Sequence, residues 1–342
     1  REYKTVFELG NVPAFQQFYD FGVFIWKLLW KGFYKPWHMV FSPTIADPNR
    51  KRPLFRLNVA KAICAEMASL VWGEECTVNV SIKGRESTDE NPDPLNGFVQ
   101  KVLSENAFRE KMQESVEEAL ALGGNALKVW CGAKHDDEGN EMPETRRIMV
   151  GYAMADQFIP ISWDNARVTE GVFVSRIAKD GWYYTRLEWH KWNGLTYVIT
   201  NELYRSQITK GASTEAQDIL GVRYPLAEIY PYLEEYTEVP VEESLFAYWR
   251  TPIANNLDDN SPLGMSIYGN ALETLHALDI CYDSFVREFR LGKKRIIVPA
   301  RMIKTVVDPV SGKSVRYFDA TDETYEALST DDPDSLKIQD NS

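Results

Sequence analysis

A chain of 342 residues with a formal net charge of −12 is too acidic to coat nucleic acid generally or to adsorb to an anionic membrane. Its 44% hydrophobic and 26% charged residues are the mix of an ordinary folded protein, and the length suggests about two structural units. The 17 Tyr, 16 Phe and 10 Trp supply aromatic area for a core and for subunit interfaces.

Near the N-terminus, "FGVFIWKLLWKGFYKPW" (Phe21 to Trp37) is too short and too charged to span a bilayer. Lys27, Lys31 and Lys35 recur every four residues, so a helix would place them on one face and Trp26, Leu29, Trp30 and Phe33 largely elsewhere. That pattern fits a partner-packing helix or arm. It also fits a helix lying on a membrane surface, which is the competing assignment. Residues 41–53 form a loop in this reading. From Leu54 to Trp72, Leu57, Ala60, Ile63, Cys64, Met67, Leu70 and Val71 recur with helical spacing and predict one buried apolar face. "TVNVSI" alternates as a strand does, and residues 84–94 form an acidic loop.

Leu95 to Leu122 predicts a second long helix, with Phe98, Val102, Phe108, Met112, Val116 and Leu120 on its buried side and Gly123-Gly124 as its stop. "NALKVWCG" follows as a short strand, then a polar hairpin tip at 135–145, then strands "RRIMVGYAM" and "DQFIPISWD". Residues 167–205 are the clearest β region. Three strand-like runs are separated by Asp180-Gly181 and Asn193-Gly194, which are strong hairpin signals. An antiparallel meander after long helices is an α+β layout, without the strand–helix alternation of a nucleotide-binding sheet. A short helix is expected within 222–236 and a strand at the start of 244–256.

Ser261 suits an N-cap and Pro262 a first helical residue, so a helix of about 30 residues, roughly 45 Å, is expected from there to Leu291, stopped by Gly292. Its seam of Ala271, Leu275, Leu278, Tyr282, Phe285 and Phe289 alternates spacings of four and three, as in helices that pack side by side. Glu273, Asp283, Arg287 and Arg290 lie on the opposite side. "RIIVP" then predicts a strand, and "MIKTVVDPVSGKSVRYFD" a hairpin around Asp308 to Gly312. Residues 318–342 hold eight Asp or Glu against one Lys, and a closing element is expected beyond residue 342.

Catalytic patterns are weak. His38, His135, His190 and His276 have no partner at metal-ligand spacing, and no cofactor is expected. Cys64, Cys76, Cys131 and Cys281 are scattered and predict reduced core residues of an intracellular protein. "GKS" at Gly312–Ser314 lacks the upstream glycine of a phosphate loop. What remains is the basic stretch in "FVREFRLGKKRIIVP": Arg287, Arg290, Lys293, Lys294 and Arg295. Arg287 and Arg290 suit the end of a helix, whose dipole favours cations, and Asp283 is spaced to pair with Arg287. Lys293, Lys294 and Arg295 lie past Gly292 and point to phosphate or to an acidic protein surface.

In order, these segments resemble the portal proteins of tailed bacteriophages, in the branch found in siphophages and prophages of Gram-positive bacteria. The stretches that carry the resemblance are "NVAKAICAEMASLVWGE", "ALALGGNALKVW", "ADQFIPISWDN", "FVSRI", "YYTRLEWH", "NELYRS", "LFAYWRTPIANN" and "SPLGMSIYGNALETLHALDICYDSFVREFRLGKKRIIVP". The resemblance implies an α+β subunit without enzymatic activity, in a dodecameric ring at one capsid vertex, reached from the host cytoplasm. Double-stranded DNA would pass its channel without sequence specificity. It would meet the terminase large subunit, a head-completion adaptor, and major capsid and scaffolding proteins, with no stable membrane association. Mapped on this chain, 1–53 would be an N-terminal arm, 54–258 the wing, 259–292 the first stem helix, and 293–342 an incomplete clip. A second stem helix and a crown are expected beyond 342. Arg287, Arg290, Lys293, Lys294 and Arg295 would face the DNA channel or an interface, and Leu275, Leu278, Tyr282, Phe285 and Phe289 would pack against a subunit helix. The competing assignment is a peripheral membrane or capsid-lining protein anchored through Phe21–Trp37.

Overall fold

The computed structural model describes residues 22–42, 49–73, 76–80, 93–135, 141–165, 167–207, 219–258, 261–291, 295–297, 304–307, 314–317 and 337–339. The chain divides into two compact units, residues 1–52 with 57–276, and residues 53–56 with 277–342.

Among the described residues the first unit opens on α1 (Phe24–Trp30) and α2 (Lys35–His38), followed by β1 (Met39–Phe41), which pairs with β2 (Lys51–Pro53) where a loop was expected. Trp26 is 1% exposed, and Val23 and Leu29 are also buried. The Tyr268 hydroxyl donates to the Trp26 carbonyl at 2.7 Å. The aromatic side of α1 therefore belongs to the protein's own core, and the membrane-anchor assignment loses its insertion face. No helix among the described residues is long and apolar enough to cross a membrane.

Next come α3 (Val59–Val71), α4 (Pro94–Glu105) and α5 (Phe108–Leu122). The expected single helix over 95–122 is broken at Asn106–Ala107, where Ala107 takes a left-handed φ of 46°. Phe98 of α4, expected inside, is exposed. Residues 76–80 are irregular rather than a strand; 81–92 lie outside the described residues. In α3 the expected buried face is split. Ala60, Cys64 and Ala68 are buried, whereas Ile63, Met67, Leu70 and Val71 are exposed. Small residues let α3 approach α5 closely, and the larger apolar side chains are left on the outer edge. Cys64 is inert there, its thiol pushed up to about 12, chiefly by burial. Cys131 and Cys281, expected in the core, are exposed, and Cys76 is half-buried.

Two antiparallel sheets complete the unit. β3 (Gly124–His135) pairs with β4 (Glu141–Met154) and with β11 (Phe246–Arg250). The second sheet contains β5 (Phe158–Asp164), β6 (Arg167–Lys179), β7 (Trp182–Asn193) and β8 (Thr196–Gln207), with β9 (Val222–Tyr224) and β10 (Tyr236–Val239) both on β8. The meander matches its turn signals. Asp180 and Gly181 form a two-residue loop with φ of 51° and 80°, the mirror-image turn that suits the strand twist. The next loop is Gly194–Leu195, one residue later than the Asn-Gly signal, because Asn193 pairs with Thr196. The short helix expected in 222–236 is a single 3-10 turn at Leu226–Glu228.

A buried charged group joins the sheets. Glu188 of β7 accepts from Lys128 of β3 at 2.5 Å, Arg186 at 2.7 Å and His190 Nε2 at 3.0 Å. The Tyr197 hydroxyl is 2.8 Å from His190 Nδ1 and donates to it when the ring is neutral. Burial pushes the His190 pKa down and favours that neutral ring. Burial alone would raise the Glu188 carboxyl, but the His190 hydrogen bond and the charges of Lys128 and Arg186 prevail and hold it down at about 2.

The expected helix start at Ser261 is not observed. α6 spans Leu272–Leu291, after a 3-10 turn at Gly269–Ala271. Residues 261–266 instead form a buried, irregular strap. Ser261 caps only locally, its hydroxyl accepting from Leu263 N–H at 3.2 Å. The strap's backbone is committed elsewhere. Ile267 N–H donates to the Leu120 carbonyl at 3.0 Å, and the Met265 carbonyl accepts from the Thr251 hydroxyl at 2.5 Å. The Ile267 bond satisfies a carbonyl at the C-terminus of α5, and the Thr251 bond fixes the strap itself. They outweigh the helical signal of the Ser-Pro sequence.

The second unit contains the distal part of α6, the pair β12 (Arg295–Ile297) with β15 (Lys337–Gln339), and the hairpin β13 (Lys304–Val307) with β14 (Ser314–Tyr317). The hairpin was expected. β15 was not, because the acidic tail conceals a three-residue strand whose Ile338 opposes Ile296.

Two outcomes follow from these contacts. A Cβ on Gly264 would lie 2.1 Å from the Gly123 carbonyl oxygen, so Gly264→Ala should cost at least about 3 kcal/mol in denaturant unfolding. A loss below 1 kcal/mol would mean that the strap yields easily. Glu188 has a folded pKa below its ordinary value of 4.5, so the stability it contributes is present above pH 4.5 and lost as pH falls toward 2. His190, also lowered, acts in the same direction as pH falls below 6.5. Glu188→Gln should therefore cost about 3 kcal/mol at pH 7, with the deficit shrinking between pH 4.5 and 2. A deficit independent of pH would contradict this.

Candidate functional site

The candidate site is the exposed edge of α6 with the basic residues at its end. The seam expected from the sequence divides along its length. Leu275 packs on the core of the first unit, and His276 stacks on Trp37 with ring centroids 4.8 Å apart. Beyond this point Leu278 is exposed and Tyr282 half-buried. Phe285 and Phe289 are 60% and 68% exposed and form an edge-to-face pair at 4.7 Å. One turn of helix brings the two rings together, and among the described residues no apolar surface covers them.

The basic residues also have distinct settings. Asp283, expected to pair with Arg287, is buried and accepts the Phe55 backbone N–H at 3.1 Å. The Arg290 guanidinium lies 4.2 Å from the centre of the Phe55 ring. Asp283 and Arg290 thus hold Phe55, one by its backbone and one by its ring. Phe55 carried no recognisable signal in the sequence, because its partners are more than 200 positions away. Arg287 is exposed. Arg295 opens β12 opposite Gln339 of β15. Lys293 and Lys294 lie outside the described residues. The structure therefore brings Phe285 and Phe289 together, and ties Arg290 to a structural contact that the sequence did not reveal.

Among the described residues no group of three or more His, Cys, Asp or Glu is placed to hold a metal ion. The distinctive surface is a helix edge with unburied aromatic rings, as in proteins built to pack against other subunits. The comparison with known families gives the same class a specific identity. The chain belongs to the family described as "Phage portal protein, SPP1 Gp6-like", whose sequence profile matches residues 29–340. No curated protein matches the chain.

The two arginines should separate experimentally. Arg290→Ala should lower stability in urea unfolding by about 0.5–1 kcal/mol through loss of the Phe55 contact. Arg287→Ala should stay within about 0.5 kcal/mol of the parent protein. Equal losses would remove the distinction.

Proposed function

We propose that this portal-family chain is a head-to-tail connector subunit. In this reading it assembles into a ring, twelve copies in the virion, around a channel at one capsid vertex, and acts during genome packaging and ejection. The observation that carries the proposal is the exposed Phe285–Phe289 pair on α6. Two aromatic rings left in water on a long helix are stabilised when a neighbouring copy covers them. Residues 54–258 act as the wing, α6 as the first stem helix and 293–342 as part of the clip. The terminase large subunit docks on the ring first and a head-completion adaptor later, with major capsid and scaffolding proteins around it.

The charge balance supports passage rather than capture. DNA affinity rises with each phosphate neutralised, and a chain of net charge −12 offers few such contacts. Lys293, Lys294 and Arg295 are the local exception. They are assigned to phosphate in the channel or to carboxylates of a neighbouring copy.

Native mass spectrometry and negative-stain imaging test the proposal. The parent chain should form closed rings with a central hole. Phe285→Asp combined with Phe289→Asp should reduce the ring population at least about tenfold, with far-UV dichroism unchanged. A parent chain that stays monomeric at micromolar concentration would refute the reading.

A further inference from the structure

A second surface, on the first unit, has the features of a contact between copies. α3 carries two apolar edges. The inner one, Ala60, Cys64 and Ala68, is buried. The outer one, Ile63, Met67 and Leu70, follows i, i+4, i+7 spacing and is exposed, Leu70 to 70%. That spacing is the ridge by which a helix enters a groove. Glu66 is exposed within this ridge and has no cationic partner among the described residues.

A matching cleft of ≈ 410 Å³ lies on the β3–β4 hairpin, lined by Trp130, Gly132, Met149, Lys134 and Arg147, among others. Its shape follows from two glycines. Trp130 and Gly132 share one face of β3, and Met149 and Gly151 lie across from Trp130 and Lys128 on β4. A Cβ on Gly151 would come 2.7 Å from the Trp130 ring, and one on Gly132 would come 3.1 Å from Met149 Cγ. Glycine at both positions lets the indole lie along the sheet and leaves an open apolar floor. The register shifts between Gly132 and Lys134, a bulge that re-aims the chain at the rim. Among the described residues neither Lys134 nor Arg147 has a carboxylate partner, whereas the adjacent Arg146 is paired with Glu141.

Ridge and cleft flank the same helix. α3 packs along α5, and its Trp72 donates to the Arg109 carbonyl at 3.0 Å. The hairpin is tied to Asn106, just before α5, which donates to the Ile148 carbonyl at 2.9 Å and accepts from Val150 N–H at 2.9 Å. One compact unit therefore carries both features, as a head-to-tail contact of the kind that closes into rings would need.

We propose that Ile63, Met67 and Leu70 of one copy seat in the Trp130–Met149 cleft of the next, with Glu66 meeting Lys134 and Arg147. This rests on the ring reading above. Charge favours a second copy as occupant. Copies of net charge −12 repel one another overall, and the opposite charges of Glu66 on the ridge and Lys134 and Arg147 in the cleft offset that repulsion locally.

The test uses the full chain with p-benzoylphenylalanine in place of Met67, prepared as a mixture of light and ¹⁵N-labelled copies. Photolysis should yield mixed-isotope adducts on residues of β3 and β4. In parallel, Glu66→Lys and Arg147→Glu should each lower the ring population at least about tenfold, and the double reversal should restore it, all with unchanged melting temperatures. Inter-copy adducts elsewhere, adducts only within one copy, adducts only to an unrelated protein, or a failed rescue in folded variants would overturn the contact. Rings without the expected adducts would sink this proposal and leave the ring reading intact. If no rings form, the ring reading fails, while mixed-isotope adducts on β3–β4 would still establish the contact between copies.

Discussion

The backbone crossing of Gly123 and Gly264 is the constraint on which the first unit depends. Gly123 ends α5 with a φ of 91° and turns the chain straight into β3 with no intervening loop. Gly264 lies so close that a Cβ on either residue would meet the other's carbonyl oxygen, at 2.3 Å for Gly123 and 2.1 Å for Gly264. The end of α5, the exit of β11 and the strap before α6 therefore meet at one point. Thr251 N–H donates to the Gly123 carbonyl at 3.1 Å, so the end of β11 shares the same anchor. With the strap held by backbone bonds, α6 starts from a fixed position on the core. A side chain at either glycine would force three elements to shift together.

Around this crossing the interior combines two kinds of adhesion. Apolar packing between α1, α3, α5 and the meander supplies most of the burial and is tolerant of direction. The Glu188 group is directional: Lys128 and Glu188 meet only if β3 and β7 hold their relative register. Next to it, Phe158 stacks on Tyr248 and contacts Phe173 and Phe246, joining the same two sheets by aromatic faces. Burial weakens the case for such ions as a source of raw stability, since desolvation opposes their attraction. Their physical effect is to disfavour any arrangement that separates Glu188 from its cations.

Much of this was legible where the determinants are local. The meander's turns, the strands β4, β5 and β11, the β13–β14 hairpin and the stop of α5 at Gly123 all rest on residues adjacent in sequence. The failures occur where distant partners decide. Ser261 and Pro262 promise a helix, but Leu120 and Thr251 claim the strap's backbone first. In α3, periodicity located the apolar residues but not the packing edge, because close helix contact selects the small side chains. The seam of α6 was read correctly as apolar, yet only the structure divides it into Leu275 packed on its own core and Phe285 and Phe289 left open. Phe55 escaped notice because nothing in "RPLFRLN" marks a residue that Asp283 and Arg290 will hold.

The distribution of side-chain size carries the last step. A core takes the larger apolar residues where it can, and contiguous exposed ones are the informative exception. Here α3 turns Ile63, Met67 and Leu70 outward and buries alanines and a cysteine, while α6 leaves two phenylalanines in water. Exposed apolar area of this kind gains free energy only when something covers it, at about 25 cal/mol per Å². The two edges lie on different elements, α3 and the distal part of α6, and each is a separate surface that a partner would cover. A subunit with a single self-complementary patch would stop at a dimer; one with two unlike patches continues until the geometry closes. Large residues on the outside are consistent with membership of a portal family, whose subunits act together. Among the described residues these two edges are not covered by the chain itself, and burial against a partner would lower their free energy.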